Sequence, residues 1–159
     1  MTARQWLIGA ASVCAATMAA LSSAPARTPA KPDACAPEPG RVIACIKPSV
    51  TDPAIERFDS RHYILFNANT GPGGNLLVFL PGTHGTPPGP RRFLKAAADA
   101  GYRVISLDYN DEPATNVYCP RRPDPNCTEK FRRMRIYGDG TLNPRIDNTP
   151  AESIVNRLV

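Results

Sequence analysis

The chain of 159 residues has no strongly apolar run of the roughly 20 residues that a membrane-spanning helix needs. It has no Cys-x2-Cys spacing, and its two histidines, His62 and His84, lie near no cysteine in sequence, so the usual pattern of a zinc site is missing. No segment repeats. The one strongly basic stretch, Cys119–Arg135, is interrupted by a single aromatic residue, Phe131, whereas nucleic-acid modules interleave cations with aromatics on a known framework. These absences argue against a retained membrane anchor, a metal centre, a solenoid and a nucleic-acid binder. The expectation is therefore no metal, no cofactor, no nucleic-acid partner and no membrane partner after export.

What is present begins with an export pattern. Met1–Arg4 carries a positive charge, and Trp6–Leu21 is apolar apart from Ser12, Thr17 and small residues. Ala24-Pro25-Ala26 then supplies the small-residue arrangement that signal peptidase accepts, so residues 1–26 read as a secretory signal peptide. Cys14 reads as a small apolar residue inside it. The mature chain would start at Arg27 and be periplasmic or secreted. Its charge falls from +5 to +4 with the loss of Arg4. Four cysteines remain, Cys35, Cys45, Cys119 and Cys127, an even number in an oxidising compartment. Four cysteines allow three pairings; short separation favours Cys35 with Cys45 and Cys119 with Cys127.

The mature chain divides by composition. Residues 27–56 form a leader, rich in Pro and Ala at its start and carrying one short apolar run at Val42–Ile46, and residues 57–159 form a domain. Arg61–Asn67 is aromatic and β-branched enough for a strand, and Asn69–Gly74 is a turn. Leu76–Leu80 is five apolar residues between turn signals, as in a strand buried on both faces. A loop crowded with Pro and Gly follows at Pro81–Pro90. Arg91–Ala100 reads as a helix with Phe93, Leu94 and Ala97 on one face and Gly101 at its left-handed cap. Tyr102–Asp108 is a second buried strand, and strand, helix, strand makes a parallel crossover. Asn110–Asn148 reads as mostly irregular, holding the six cations of Cys119–Arg135 in a solvated loop. Thr149 and Glu152 make a capping box, with Pro150 at the first helical position, so the last eleven residues read as a helix still in progress at Val159.

Phe58–Tyr63, Leu77–Gly85 and Ala97–Tyr109, taken in order, resemble the opening of an α/β-hydrolase. The resemblance implies a partial α/β-hydrolase-like three-layer sandwich with a mostly parallel sheet. It implies that the loop after Leu80 contributes to an oxyanion hole, with Thr83 and His84 the candidate donors and Gly82 and Gly85 shaping the turn. It further implies that Ile154–Val159 leads towards the nucleophile strand. Backbone N–H groups held in a fixed turn suit that chemistry, because acyl transfer puts negative charge on the former carbonyl oxygen.

The catalytic serine itself is not here. No Gly-x-Ser-x-Gly elbow occurs, and Ser49, Ser60, Ser106 and Ser153 lack flanking glycines at its spacing. The family's histidine comes late in the chain, so His84 reads as a loop residue and His62 as structural. Asp108, ending a strand, is a minor site candidate. The expectation is an N-terminal fragment of an exported serine-type hydrolase acting on small carboxylic esters, itself inactive and with no catalytic residue of its own. The alternative is a small non-catalytic exported protein that binds an acidic partner through its basic loop.

Overall fold

The computed structural model describes residues 33–140, 142–143 and 145–159. The expected signal peptide and its cleavage site lie outside the described residues.

Four strands form one sheet: β1 (Arg41–Ile46), β2 (His62–Asn67), β3 (Leu76–Phe79) and β4 (Arg103–Ser106), in the order β1-β2-β4-β3. β2 runs antiparallel to both β1 and β4, and only β3 and β4 are parallel. This corrects the expected mostly parallel three-layer α/β sandwich. Parallel neighbours need a crossover, and the nine-residue helix α2 (Arg91–Asp99) supplies one, between β3 and β4. The β1–β2 connection carries only the four-residue helix α1 (Pro48–Thr51), and the strands it joins pair antiparallel.

The register lays side chains in rows across the sheet. Ile43, Leu65, Val104 and Leu77 form one row, and Cys45, Tyr63, Ser106 and Phe79 the next on the same face. α2 covers that face with Leu94 and Ala98, both fully buried, and with Ala97 packed beside them. Phe93, expected in the same stripe, is instead half exposed and leans on Phe79 at 5.6 Å between ring centres. Gly101 ends the helix at φ 90°; its N–H bonds Ala98 O, and Tyr102 N–H bonds Ala97 O, which is a Schellman closure. The opposite face carries the row Ala44, Ile64, Ile105 and Val78, with Val42, Leu76 and Val78 exposed. β3 is an edge strand, so the expectation of strands buried on both faces fails at Leu76–Leu80.

β1 lies within the stretch read as a leader, and the Cys35–Cys45 disulfide joins it to the segment before it. Beyond β4, the span expected to be irregular holds α3 (Thr115–Tyr118), a 3-10 turn at Cys119–Arg121 and the eleven-residue helix α4 (Cys127–Tyr137). Cys127, Phe131 and Met134 point one way along α4, and with Cys119 they make a second small core, closed by the Cys119–Cys127 disulfide. Gly138, at φ 72°, ends α4 and lies so close to Thr149 and Pro150 that a Cβ there would sit 2.3 Å from Thr149 O.

The expected C-terminal helix does not form; Thr149–Val159 is a set of turns ending in a 3-10 turn at Asn156–Leu158. Half of the capping box is made, with Glu152 N–H bonding the Thr149 hydroxyl at 3.3 Å. The other half is lost because the Glu152 carboxylate binds Arg57 instead. The N–H groups of Ile154 and Val155 then bond Arg135 O and Ile136 O at the end of α4, which takes them out of any local helix. Arg157, buried, clamps this segment to the domain by donating to the carbonyls of Arg57, Phe58 and Asp108.

Candidate functional site

The first half of the loop after β3 is held by two bonds. Tyr109, three residues beyond the end of β4 at Ser106, donates its hydroxyl to Pro81 O at 2.6 Å. Gly85 N–H closes a four-residue turn on Gly82 O at 2.7 Å. His84 stands in that turn at φ 63°, the left-handed position that a type II turn requires of its third residue. A Cβ at Gly85 would meet Gly82 O at 2.6 Å, so glycine is required there, whereas Gly82 has open space around it. Among the described residues, the backbone N–H groups of Thr83 and His84 donate to nothing. His84 also turns outward, its Nδ1 lying 2.6 Å from Glu112 Oε1 with both side chains largely exposed.

Beside this loop is a cavity of about 290 Å³ next to the carboxyl ends of the parallel pair β3 and β4. Gly82 and Thr83 reach it from the loop, and Leu80, Phe131, Ile136 and Ile154 give it apolar walls. Its polar groups are Tyr109, Asn110, Asp111, Arg132 and Arg135. Burial pushes the Tyr109 phenol above its ordinary range, with Asp111 adding to the effect and Arg135 opposing it. Arg135 is 5% exposed, and burial, followed by repulsion from Arg57, lowers its guanidinium to about 10. It donates through Nη1 to Ile146 O and to Asn148 Oδ1, each at 3.0 Å, and through Nη2 to Glu112 O. Asn110 Nδ2 shares the Asn148 oxygen at 2.9 Å.

The expected candidates divide. Thr83 and Gly82 line the cavity; His84 and Gly85 shape the loop beside it. Asp108 turns away, its Oδ2 accepting Ser60 N–H at 2.7 Å, and burial raises its carboxyl above the usual range despite that bond. His62 is buried, and its Nδ1 accepts Asp108 N–H at 2.9 Å, a structural position. None of the four mature-chain serines has a histidine nitrogen in hydrogen-bond contact among the described residues: Ser49 bonds Asp59, Ser60 donates its N–H to Asp108, and Ser106 and Ser153 are buried. Of the cavity's own residues, Arg132 and Arg135 belong to the basic stretch read as the alternative site for an acidic partner, whereas Tyr109, Asn110 and Asp111 carry no motif in the sequence. The usable signal was position, since Tyr109-Asn110-Asp111 directly follows the strand segment Tyr102–Asp108 at its carboxyl end.

Four of the six cations of the basic stretch, Lys130, Arg132, Arg133 and Arg135, lie on α4 rather than in a loop. Lys130 pairs with Asp124 at 2.6 Å, Arg133 with Asp139 at 2.8 Å, and Arg135 is internal. Arg122 lies over the Tyr118 ring at 4.5 Å. No group of three or more His, Cys, Asp or Glu side chains suited to a metal ion occurs among the described residues. No helix among them is long and apolar enough to cross a membrane. Two disulfides, with Cα–Cα distances of 5.9 and 5.6 Å, are compatible with an exported protein. Comparisons with family models, with curated proteins and with solved structures find no match for this chain.

Proposed function

We propose that the chain contributes the oxyanion-hole loop of an exported serine-type hydrolase acting on small carboxylic esters, and that it turns over no ester by itself. The observation that supports this is the Gly82–Gly85 turn: a loop at the end of a strand, tied down by Tyr109, bordering a cavity, with the N–H groups of Thr83 and His84 unengaged among the described residues. Fixed donors of this kind are worth roughly 3–4 kcal/mol each when charge develops on a substrate oxygen. The reading rests on the residues and on this loop; it does not need the mostly parallel sandwich. Inactivity of the chain follows from its serines, because acyl transfer needs a hydroxyl activated by a neighbouring base. The ordered likeness to α/β-hydrolases at Leu77–Gly85 and Ala97–Tyr109 is the reason to choose esters.

Thr83→Pro tests it. Thr83 is the second residue of the turn, where proline fits, and the change removes one N–H while keeping the Gly85–Gly82 bond. In a form extended along any continuing reading frame, kcat for a p-nitrophenyl ester should fall by about two orders of magnitude with KM nearly unchanged. Unchanged turnover would remove Thr83 from the oxyanion hole.

A further inference from the structure

Arg135 is a buried cation without a counter-anion. Among the described residues, no carboxylate oxygen lies within 4.0 Å of its nitrogens, and all its acceptors are neutral: two backbone carbonyls and the Asn148 amide. Of a guanidinium's five N–H donors, these bonds use two on Nη1 and one on Nη2. Nε–H and the second Nη2 proton are left, a pair of donors of the kind that receives a carboxylate two-pronged. Burying an ion is costly unless an opposite charge or a full set of hydrogen bonds compensates it. Arg132, one turn earlier on α4, is exposed and borders the same cavity, and it too has no ion-pair partner among the described residues. Asp111 is the single acid in the cavity wall, so two cations face one anion.

Leu80, Phe131, Ile136 and Ile154 give the wall its large apolar side chains, and Thr83, Tyr109, Asn110 and Thr115 its uncharged polar ones. A volume of about 290 Å³ is near the lower end for ligand sites. It is larger than the roughly 150 Å³ that holds a benzene ring. Charge, donors and size converge on one class of ligand. We propose that this cavity binds a small organic monocarboxylate of about six to eight carbons, its carboxylate against Arg132 and Arg135 and its apolar body against Leu80, Phe131, Ile136 and Ile154. The site needs no nucleophile and stands whether or not the loop serves ester hydrolysis.

Isothermal titration calorimetry on the full chain tests this with phenylacetate, with its neutral isostere 2-phenylacetamide and with inorganic phosphate. Phenylacetate should bind saturably, at least tenfold more tightly than either of the others. Arg132→Gln should weaken phenylacetate at least tenfold, leave the amide unchanged and keep the circular dichroism spectrum, because Arg132 is exposed. Arg135→Lys should weaken it as well, by removing the two-pronged contact while keeping the charge; if that variant does not fold, Arg132→Gln and the amide decide. Equal binding of acid and amide, equal binding of phosphate, indifference to Arg132→Gln, or no saturable heat up to roughly 10 mM ligand would each overturn the proposal.

Discussion

Lowering the pH from 7 to 4 should destabilise the protein through one imidazole. His62 is 4% exposed, its Nδ1 accepts Asp108 N–H at 2.9 Å, and its buried Nε2 meets no partner among the described residues. Accepting at Nδ1 places the ring proton on Nε2. A second proton would abolish the Asp108 contact and put a charge where water does not reach. Burial is the larger cause and the Arg157 guanidinium the next; together they outweigh the attraction of Asp59 and bring the imidazole down to about 4. In the unfolded chain the same ring titrates near 6.5. Between these values the unfolded chain holds a proton that the folded chain refuses, so stability falls as pH drops through 6.5 and levels off below about 4. At about 1.4 kcal/mol per pH unit, that interval sets a loss of roughly 3 kcal/mol. Urea denaturation from pH 7 to 4, disulfides intact, measures it beside His62→Asn, whose amide oxygen can replace the Nδ1 acceptor without titrating. The stability difference between wild type and variant should shift by roughly 3 kcal/mol across that range. Parallel curves, or an NMR midpoint for His62 near 6.5, would refute the reasoning.

Two further outcomes concern the half of the domain around α4. Gly138→Ala should cost at least about 2 kcal/mol in urea midpoint measurements, because φ is 72° and the added Cβ would press on the backbone of Thr149 and Pro150. Replacing both Cys119 and Cys127 by serine opens a loop with a separation of eight residues, which should lower stability by about 2.5 kcal/mol in the chain-entropy account, while mapping under non-reducing conditions should recover Cys35–Cys45 intact.

The sequence was most legible where one local signal decided. β2, β3, α2 and β4 stand within a residue or two of their expected bounds, and Gly101 caps α2 at positive φ as its position suggested. Both disulfides join the pairs that short separation favoured. Strand pairing was not legible, because direction is set by which strands meet. β4 inserts between β2 and β3, and a single reversed strand between two neighbours makes the sheet mainly antiparallel. α4 was hidden by the prolines around it, although Cys127, Phe131 and Met134 already show helical spacing; Pro120, Pro123 and Pro125 precede the helix and do not enter it. The C-terminal segment failed for a tertiary reason. Its capping residues are real, but Arg57 and the end of α4 outbid the local helix for Glu152 and for two N–H groups. At the site, the Gly82–Gly85 turn could be found from its glycines, while the place of Arg135 in the cavity could not, since that cavity exists only after α4 packs under the loop.

The central claim is tested most directly by ester turnover. A p-nitrophenyl ester is offered to purified chain ending at Val159 and to a form extended along any continuing reading frame. The account predicts background hydrolysis by the first, because none of Ser49, Ser60, Ser106 and Ser153 meets a histidine among the described residues. It predicts turnover by the second, lost when a Gly-x-Ser-x-Gly serine there is changed to alanine. Serine-dependent turnover by the chain ending at Val159 would contradict it, as would an extended form that hydrolyses no ester.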